Sequence, residues 1–179
     1  MPIALLQFPT DLIGDILTLC YPFELFILSD CSKKTRKLVK SKVTNKWKIQ
    51  SIDSTSIDLK SGYIKKEYRF TIVEYPEFHY QQRTLMIGIG IYLMYPNEAV
   101  DELLKDVVEV FGCKSIRSIK SEDFEEDSEK FLDLCQAIID LDLQVEHMDL
   151  NSYWYYDCRD FEELRDQMEK SKKINIVRP

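Results

Sequence analysis

The chain has 179 residues, enough for one domain or one domain plus a small module. Its 45% apolar and 12% aromatic content excludes a disordered polymer, and 24 Lys and Arg against 31 Asp and Glu argue against a general nucleic-acid binder. The charge is uneven: residues 1–48 carry a net +4 and residues 97–171 a net −14, so the acidic C-terminal half favours a basic partner.

The first stretch with strong character is FPTDLIGDILTLCYPFELFILSDCSKKTRKLVK, residues 8 to 40. Three short helices fit it. Thr10 is a candidate N-cap for the first, with Asp11 in its first turn, and Leu12, Ile13, Ile16, Leu17 and Leu19 follow at helical spacing. Pro22 suits the first position of a second helix carrying Phe23, Leu25, Phe26 and Leu28. A third begins near Ser32, is mostly basic, and ends near Val43. The first two helices are apolar on more than one face. Three helices of this length cannot bury so much side chain among themselves, so the excess must meet the rest of the protein or a partner.

From Trp47 to Tyr95 the period changes to two. Strands are expected over Trp47 to Ile52, around Ile57 and Leu59, from Tyr63 to Tyr75, and from Thr84 to Tyr95, giving an antiparallel meander of three or four strands. Gly88 and Gly90 fall on one face of the last strand, as expected for a bulge or a close backbone approach. A helix opens after Pro96 and runs through Ala99, Val100, Leu103, Leu104, Val107, Val108 and Phe111 to a stop at Gly112. Strand and helix then alternate: a strand at 115–119, a helix at 125–140, a strand at 144–150, a helix at 159–171 and a strand at 173–177. Ile116, Val145 and Ile174 are each 29 residues apart, a period that points to leucine-rich-repeat-like stacking. The expected architecture is α+β: a helical module over 1–46, a meander over 47–95, and repeat-like units over 96–179.

Chemistry-bearing constellations are sparse. The two histidines are His79, in a turn, and His147, in a strand beside Glu146. No nucleophile motif is present, and GIGI at 88–91 lies in a strand and lacks the third glycine of a phosphate loop. The acidic run Glu122, Asp123, Glu125, Glu126, Asp127 and Glu129 lacks the turn glycine of a calcium loop and reads as a helix start with a solvated face. We therefore expect no catalytic residue, no metal and no cofactor. Five cysteines (20, 31, 113, 135 and 158) without a CxxC pair read as reduced thiols of an intracellular protein. No leader pattern opens the chain, and no segment approaches the ~18 uncharged apolar residues of a membrane span. Cytoplasm or nucleus is the expected location, without membrane or nucleic-acid partners. The run Tyr153, Trp154, Tyr155, Tyr156 follows a strand, and its aromatics cannot all point inward. Binding hot spots are rich in such residues, so these four, with Phe78 and Tyr80 in a second aromatic loop, are candidate protein-binding residues, the alternative being that Trp154 caps the stack.

The N-terminal stretch resembles an F-box. Phe8-Pro9 with Asp11 matches the opening of that pattern, Phe standing for the usual Leu. Ile16-Leu17 matches its next aliphatic pair, Glu24-Leu25 and Leu28 its acidic-Leu step, and Cys31 to Lys34 its Cys-basic step; Arg36 stands about where the pattern has Trp. The variant is similar to the F-box of a family expanded in nematodes. IYLMYPNEAVDELLKDVVEVFGCKSIRSI resembles the opening of the type-two F-box-associated domain of the same proteins, through Phe111, Gly112, Cys113, Ser115 and Ile116. Members of that family generally run further, with more strand-helix units. The resemblance implies a non-catalytic receptor subunit of a Skp-cullin-F-box ubiquitin ligase. Phe8, Pro9, Leu12, Ile13, Ile16, Leu17, Pro22, Phe23, Leu25, Phe26 and Leu28 would meet a Skp-type adaptor, and through it a cullin. The C-terminal domain would hold a protein target for degradation, and an antidote-like role against a toxic or foreign protein is one form this takes. A stand-alone α+β interaction module is the alternative.

Overall fold

The computed structural model describes residues 8–43, 46–61, 67–72, 82–84, 88–93, 99–124, 128–150, 154, 158–170 and 174–177. Three helices come first: α1 (Thr10–Leu19), α2 (Pro22–Cys31) and α3 (Lys33–Val43). Helix α1 starts one residue earlier than Thr10 as N-cap would allow: Pro9 holds the cap position and no side chain caps the helix. At α2 the Tyr21 N–H donates to the Glu24 carboxylate at 2.8 Å, satisfying one of the amides a helix start leaves open. At α3 the Ser32 hydroxyl accepts from the Thr35 N–H at 3.1 Å.

Eight strands form one mixed sheet. In chain order they are β1 (Trp47–Ile52), β2 (Ser56–Ser61), β3 (Glu67–Ile72), β4 (Gln82–Thr84), β5 (Gly88–Leu93), β6 (Ser115–Lys120), β7 (Gln144–Asp149) and β8 (Ile174–Val177). Across the sheet the order is β4-β5-β3-β2-β1-β6-β7-β8. Strands β1, β2 and β3 make the expected antiparallel meander. The next long strand departs from it: β5 lies parallel to β3, and β4 pairs antiparallel on its outer side. A strand that returns parallel needs a crossover rather than a hairpin, so the meander ends at β3. Gly88 and Gly90 stand opposite Glu67 and Arg69 in the register.

Helix α4 (Val100–Phe111) buries Val100, Leu103, Leu104, Val107, Val110 and Phe111 along one stripe. It ends where Gly112 adopts φ 64°, ψ 30°, and the Gly112 N–H closes the last turn on the Val108 carbonyl at 2.9 Å. Only glycine takes this left-handed conformation without a side-chain penalty, which is why the helix stops there. Helices α5 (Ser128–Asp140) and α6 (Arg159–Lys170) link the parallel strands β6, β7 and β8. The 29-residue period is visible in the pairing: Ile116 stands beside Val145, and Val145 beside Ile174. Ile116 also pairs with Ile49, so β1 joins the meander to the parallel half in a single sheet.

Strict alternation fails in the central strands. The buried positions are Trp47, Ile49 and Ile52 in β1, Ile116 and Ile119 in β6, and Val145 and Met148 in β7, the last two being three residues apart in each case. Each strand spends one extra residue between its two inward anchors, and in β1 the pairing with β2 shifts register at that point. On the face of the meander opposite Ile57 and Leu59, Arg69 grips the buried Asp58 with two hydrogen bonds of 2.8 Å, and Ser51 donates to the same carboxylate at 2.9 Å. The row continues by register through Ser118 to His147.

The core is continuous across the boundary expected at residue 46. Phe26 of α2 packs on Phe70 (centroids 5.4 Å apart) and Phe111 (6.5 Å), and Trp47 sits edge-on to both Tyr68 and Phe111. A second aromatic cluster joins Phe124, Phe131, Trp154 and Phe161 under the parallel half. The boundary is thus a change of element type, with packing running through it.

A candidate docking surface on the first helix

Helix α1 has two apolar faces with different fates. Ile13 and Leu17 point inward and are 4% and 1% exposed. Leu12, Ile16 and Leu19 follow at spacings of four and three, which places them within one arc of the helix beside the buried one, and Phe8 precedes the helix cap. Phe8 is 38% exposed, Leu12 45% and Leu19 83%, with Ile16 partly buried between them. Together with Tyr21 these are the large apolar side chains exposed among the described residues. Asp11 and Asp15 are exposed on the same helix. Pro9 is exposed beside Phe8. An apolar stripe of this length on a helix whose other side already faces the core is the mark of an interaction surface.

The structure divides the eleven residues that the sequence assigned to an adaptor. Phe8, Pro9 and Leu12 are exposed, and Ile16, Phe23 and Leu28 are partly buried. Ile13, Leu17, Pro22, Leu25 and Phe26 are buried within the chain. Leu25 is fully enclosed and Phe26 is held between Phe70 and Phe111, so neither has surface to give a partner. Leu19 and Tyr21 were not among the eleven. For Leu19 the signal was its helical spacing from Leu12 and Ile16; Tyr21, at the cap of α2, carried none.

The assigned target-binding residues fare differently. Trp154 is fully buried, its ring 4.3 Å from Phe131 and 6.0 Å from Phe161, so it caps the helices of the parallel half and has no surface for a target. Phe78, Tyr80, Tyr153, Tyr155 and Tyr156 lie outside the described residues, as do His79 and residues 125–127 of the acidic run.

Along the other side of α3, a groove of about 680 Å³ is lined by Ser29, Asp30, Ser32, Lys33, Arg36, Lys37, Lys40 and Glu109. Arg36 bridges it, donating to Asp30 at 2.8 Å and to Glu109 at 3.1 Å. Burial works against the Arg36 charge, but Glu109 and Asp30 outweigh it and hold the guanidinium more firmly protonated than usual. This ties the end of α2 to α4. His147 is exposed and stands by register next to Ser118, whose hydroxyl donates to the Gln50 carbonyl at 3.2 Å. That bond spends the hydroxyl on the backbone. Among the described residues no group of His, Cys, Asp or Glu is placed to hold a metal ion, and no helix is long and apolar enough to cross a membrane.

Compared with family models, with curated proteins and with solved structures, the chain matches none.

Proposed function

We propose that this chain is a substrate receptor of the Skp-cullin-F-box type, with the outer face of α1 as its adaptor-docking surface and leucine-rich-repeat-like β–α units behind it. The observation that carries the reading is the exposure of Leu12 and Leu19 on α1 and of Phe8 just before it, all within the stretch whose ordered matches resemble an F-box. Docking there would bury an apolar face that water otherwise covers. The chain performs no bond chemistry in this reading: it brings a target protein to the ligase, and the acidic C-terminal half favours a basic one. Degradation of a toxic or foreign protein, an antidote-like role, is one form this takes.

A stand-alone α+β interaction module is the second reading, and the burial of Leu25 and of Phe26, the latter against Phe70 of the sheet, favours it, since α2 completes the chain's own core. Co-expression with a Skp-type adaptor, followed by size exclusion, separates the two. The first reading expects a one-to-one complex. Leu12→Ala should weaken it by on the order of tenfold, about 1.4 kcal/mol, and the pair Leu12→Asp with Leu19→Asp should abolish it. A folded monomer that ignores the adaptor overturns the first reading and leaves the second.

A further inference from the structure

The groove beside α3 has no part in the adaptor reading, whose test residues Leu12 and Leu19 do not line it. Its cations come from one helix. Lys33, Arg36, Lys37 and Lys40 follow at spacings of three, one and three, which places all four in one arc of α3 along the groove. The stability of the helix does not call for this arrangement. Lys33 and Lys40 each stand three or four residues from both Arg36 and Lys37, and like charges at those spacings destabilise a helix. Lys33 also opens α3, at the end where the helix dipole disfavours a cation, and no acidic residue in the first turn offsets it.

The four cations have different duties. Arg36 is spent within the chain, on Asp30 and Glu109, and so ties together the two sides of the groove before any ligand arrives. Lys33 and Lys37 are exposed, and among the described residues neither has an ion-pair partner. Lys40 is exposed further along the same arc.

We infer that this groove binds a short acidic peptide segment of a partner protein, its carboxylates on Lys33, Lys37 and Lys40. Charge, spacing and volume each contribute. The wall carries four cations against two carboxylates, and Arg36 engages both of those, so the groove is positive on a chain whose net charge is −7. Along the helix axis Lys37 stands about 6 Å from Lys33, and Lys40 about 10 Å. In an extended peptide every second side chain falls on one face, about 7 Å from the last, so alternating Glu or Asp residues match the row, and the flexible lysine stems absorb the difference. A nucleic acid fits worse: it carries a phosphate at every nucleotide, and some would fall against Asp30 and Glu109. The volume of about 680 Å³ takes a segment of several residues rather than a folded surface. This partner is opposite in sign to the one the acidic C-terminal half favours, so the two surfaces do not compete.

The probe is a fluorescein-labelled peptide, Gly-Glu-Thr-Glu-Thr-Glu-Gly, titrated with the whole chain in low salt and followed by anisotropy. The expected result is saturable binding in the micromolar range that weakens as salt is added, since exposed ion pairs are individually weak and are screened. The same peptide with Gln in place of each Glu should bind about tenfold more weakly or not at all. Lys33→Gln with Lys37→Gln should weaken binding about tenfold while the melting temperature stays or rises, because the change removes like-charge neighbours. Lys48→Gln with Lys114→Gln, which removes the same charge from exposed positions outside the groove, should leave binding unchanged. No saturable binding by the unaltered chain, equal loss in the two double variants, or tighter binding of a fluorescein-labelled oligothymidylate than of the peptide overturns the inference. Adaptor binding is judged on Leu12 and Leu19, so either reading can fail alone.

Discussion

At the scale of single residues, burial decides chemistry. Cys113 is buried and its thiol is pushed up to about 12 by loss of water, a local backbone hydrogen bond only partly opposing this; burial pushes Cys135 up as well. In the unfolded chain a thiol ionises near pH 9. Between these values the unfolded state releases a proton that the folded state keeps. The stabilisation is therefore complete below pH 9 and is lost as pH rises toward 12, at about 1.4 kcal/mol per pH unit for each such thiol. Urea midpoints measured from pH 7 to 11 should fall above 9, and Cys113→Ala should remove one thiol's share of that slope. An unchanged slope in the variant would place the alkaline loss elsewhere. Trp154 shows what one residue's surroundings hide from the sequence. The run from Tyr153 to Tyr156 announces that some ring must turn inward and some outward. Which ring turns inward is settled by Phe131 and Phe161, which approach only once α5 and α6 are folded over β7. No periodicity within the run encodes that.

At the scale of elements, the helices were legible in extent and less so in orientation. The apolar spacing of α4 gives one stripe, and the structure buries that stripe, up to the Gly112 stop. Helices α1 and α2 are apolar on several faces, so spacing alone cannot say which face meets the sheet. In α1 the answer lies partly in Gly14. It is buried on the inner side, and a methyl group there would come within 3.1 Å of the end of the Lys42 side chain. That end is flexible, and a few tenths of an ångström would clear it. Gly14→Ala should therefore raise stability by about 0.5–1 kcal/mol through reduced freedom of the unfolded chain, read as a higher denaturant midpoint with unchanged slope. A lower midpoint would mean that Lys42 is held too firmly to yield. One strand departs from its expected alternation for a related reason. Period two was the expectation from Trp47 to Tyr95, and it holds at Ile57 and Leu59 and from Tyr68 to Ile72, but between Ile49 and Ile52 the inward residues stand three apart. The burial of β6 and β7 repeats that spacing, and the register sets Ile49, Ile116 and Val145 side by side and Ile52, Ile119 and Met148 likewise.

At the scale of the whole molecule, the 29-residue period was the most informative feature, because parallel strands linked by helices must repeat at a near-constant interval to stay in register. What the period could not show is that β1 pairs with β6 and so fuses two expected units into one sheet. The same fusion governs the N-terminal helices. Residues 1–46 expressed alone would expose Phe26, which in the whole chain lies against Phe70 of β3 and Phe111 of α4. Short helices gain most of their stability from such packing. The fragment should show much weaker helical circular dichroism per residue than the same segment contributes to the whole chain, unless an adaptor is present to cover it. A fragment fully helical on its own would mean that the three helices are self-sufficient.

The pairing of Ile49 with Ile116 has a consequence for the order of events in folding. The hairpins of the meander join neighbours in the chain and close over short loops. The β–α–β crossings close over a few tens of residues. The junction between β1 and β6 must wait for every residue between them, including all of α4. Contacts at such separation set the pace of folding because the loop entropy is spent before any contact repays it. A chain emerging from the ribosome would therefore hold its first half, α2 included, without its final neighbours until α4 and β6 had emerged. For that interval the apolar faces of α1 and α2 are open together, and whatever first covers them has the earliest opportunity to bind.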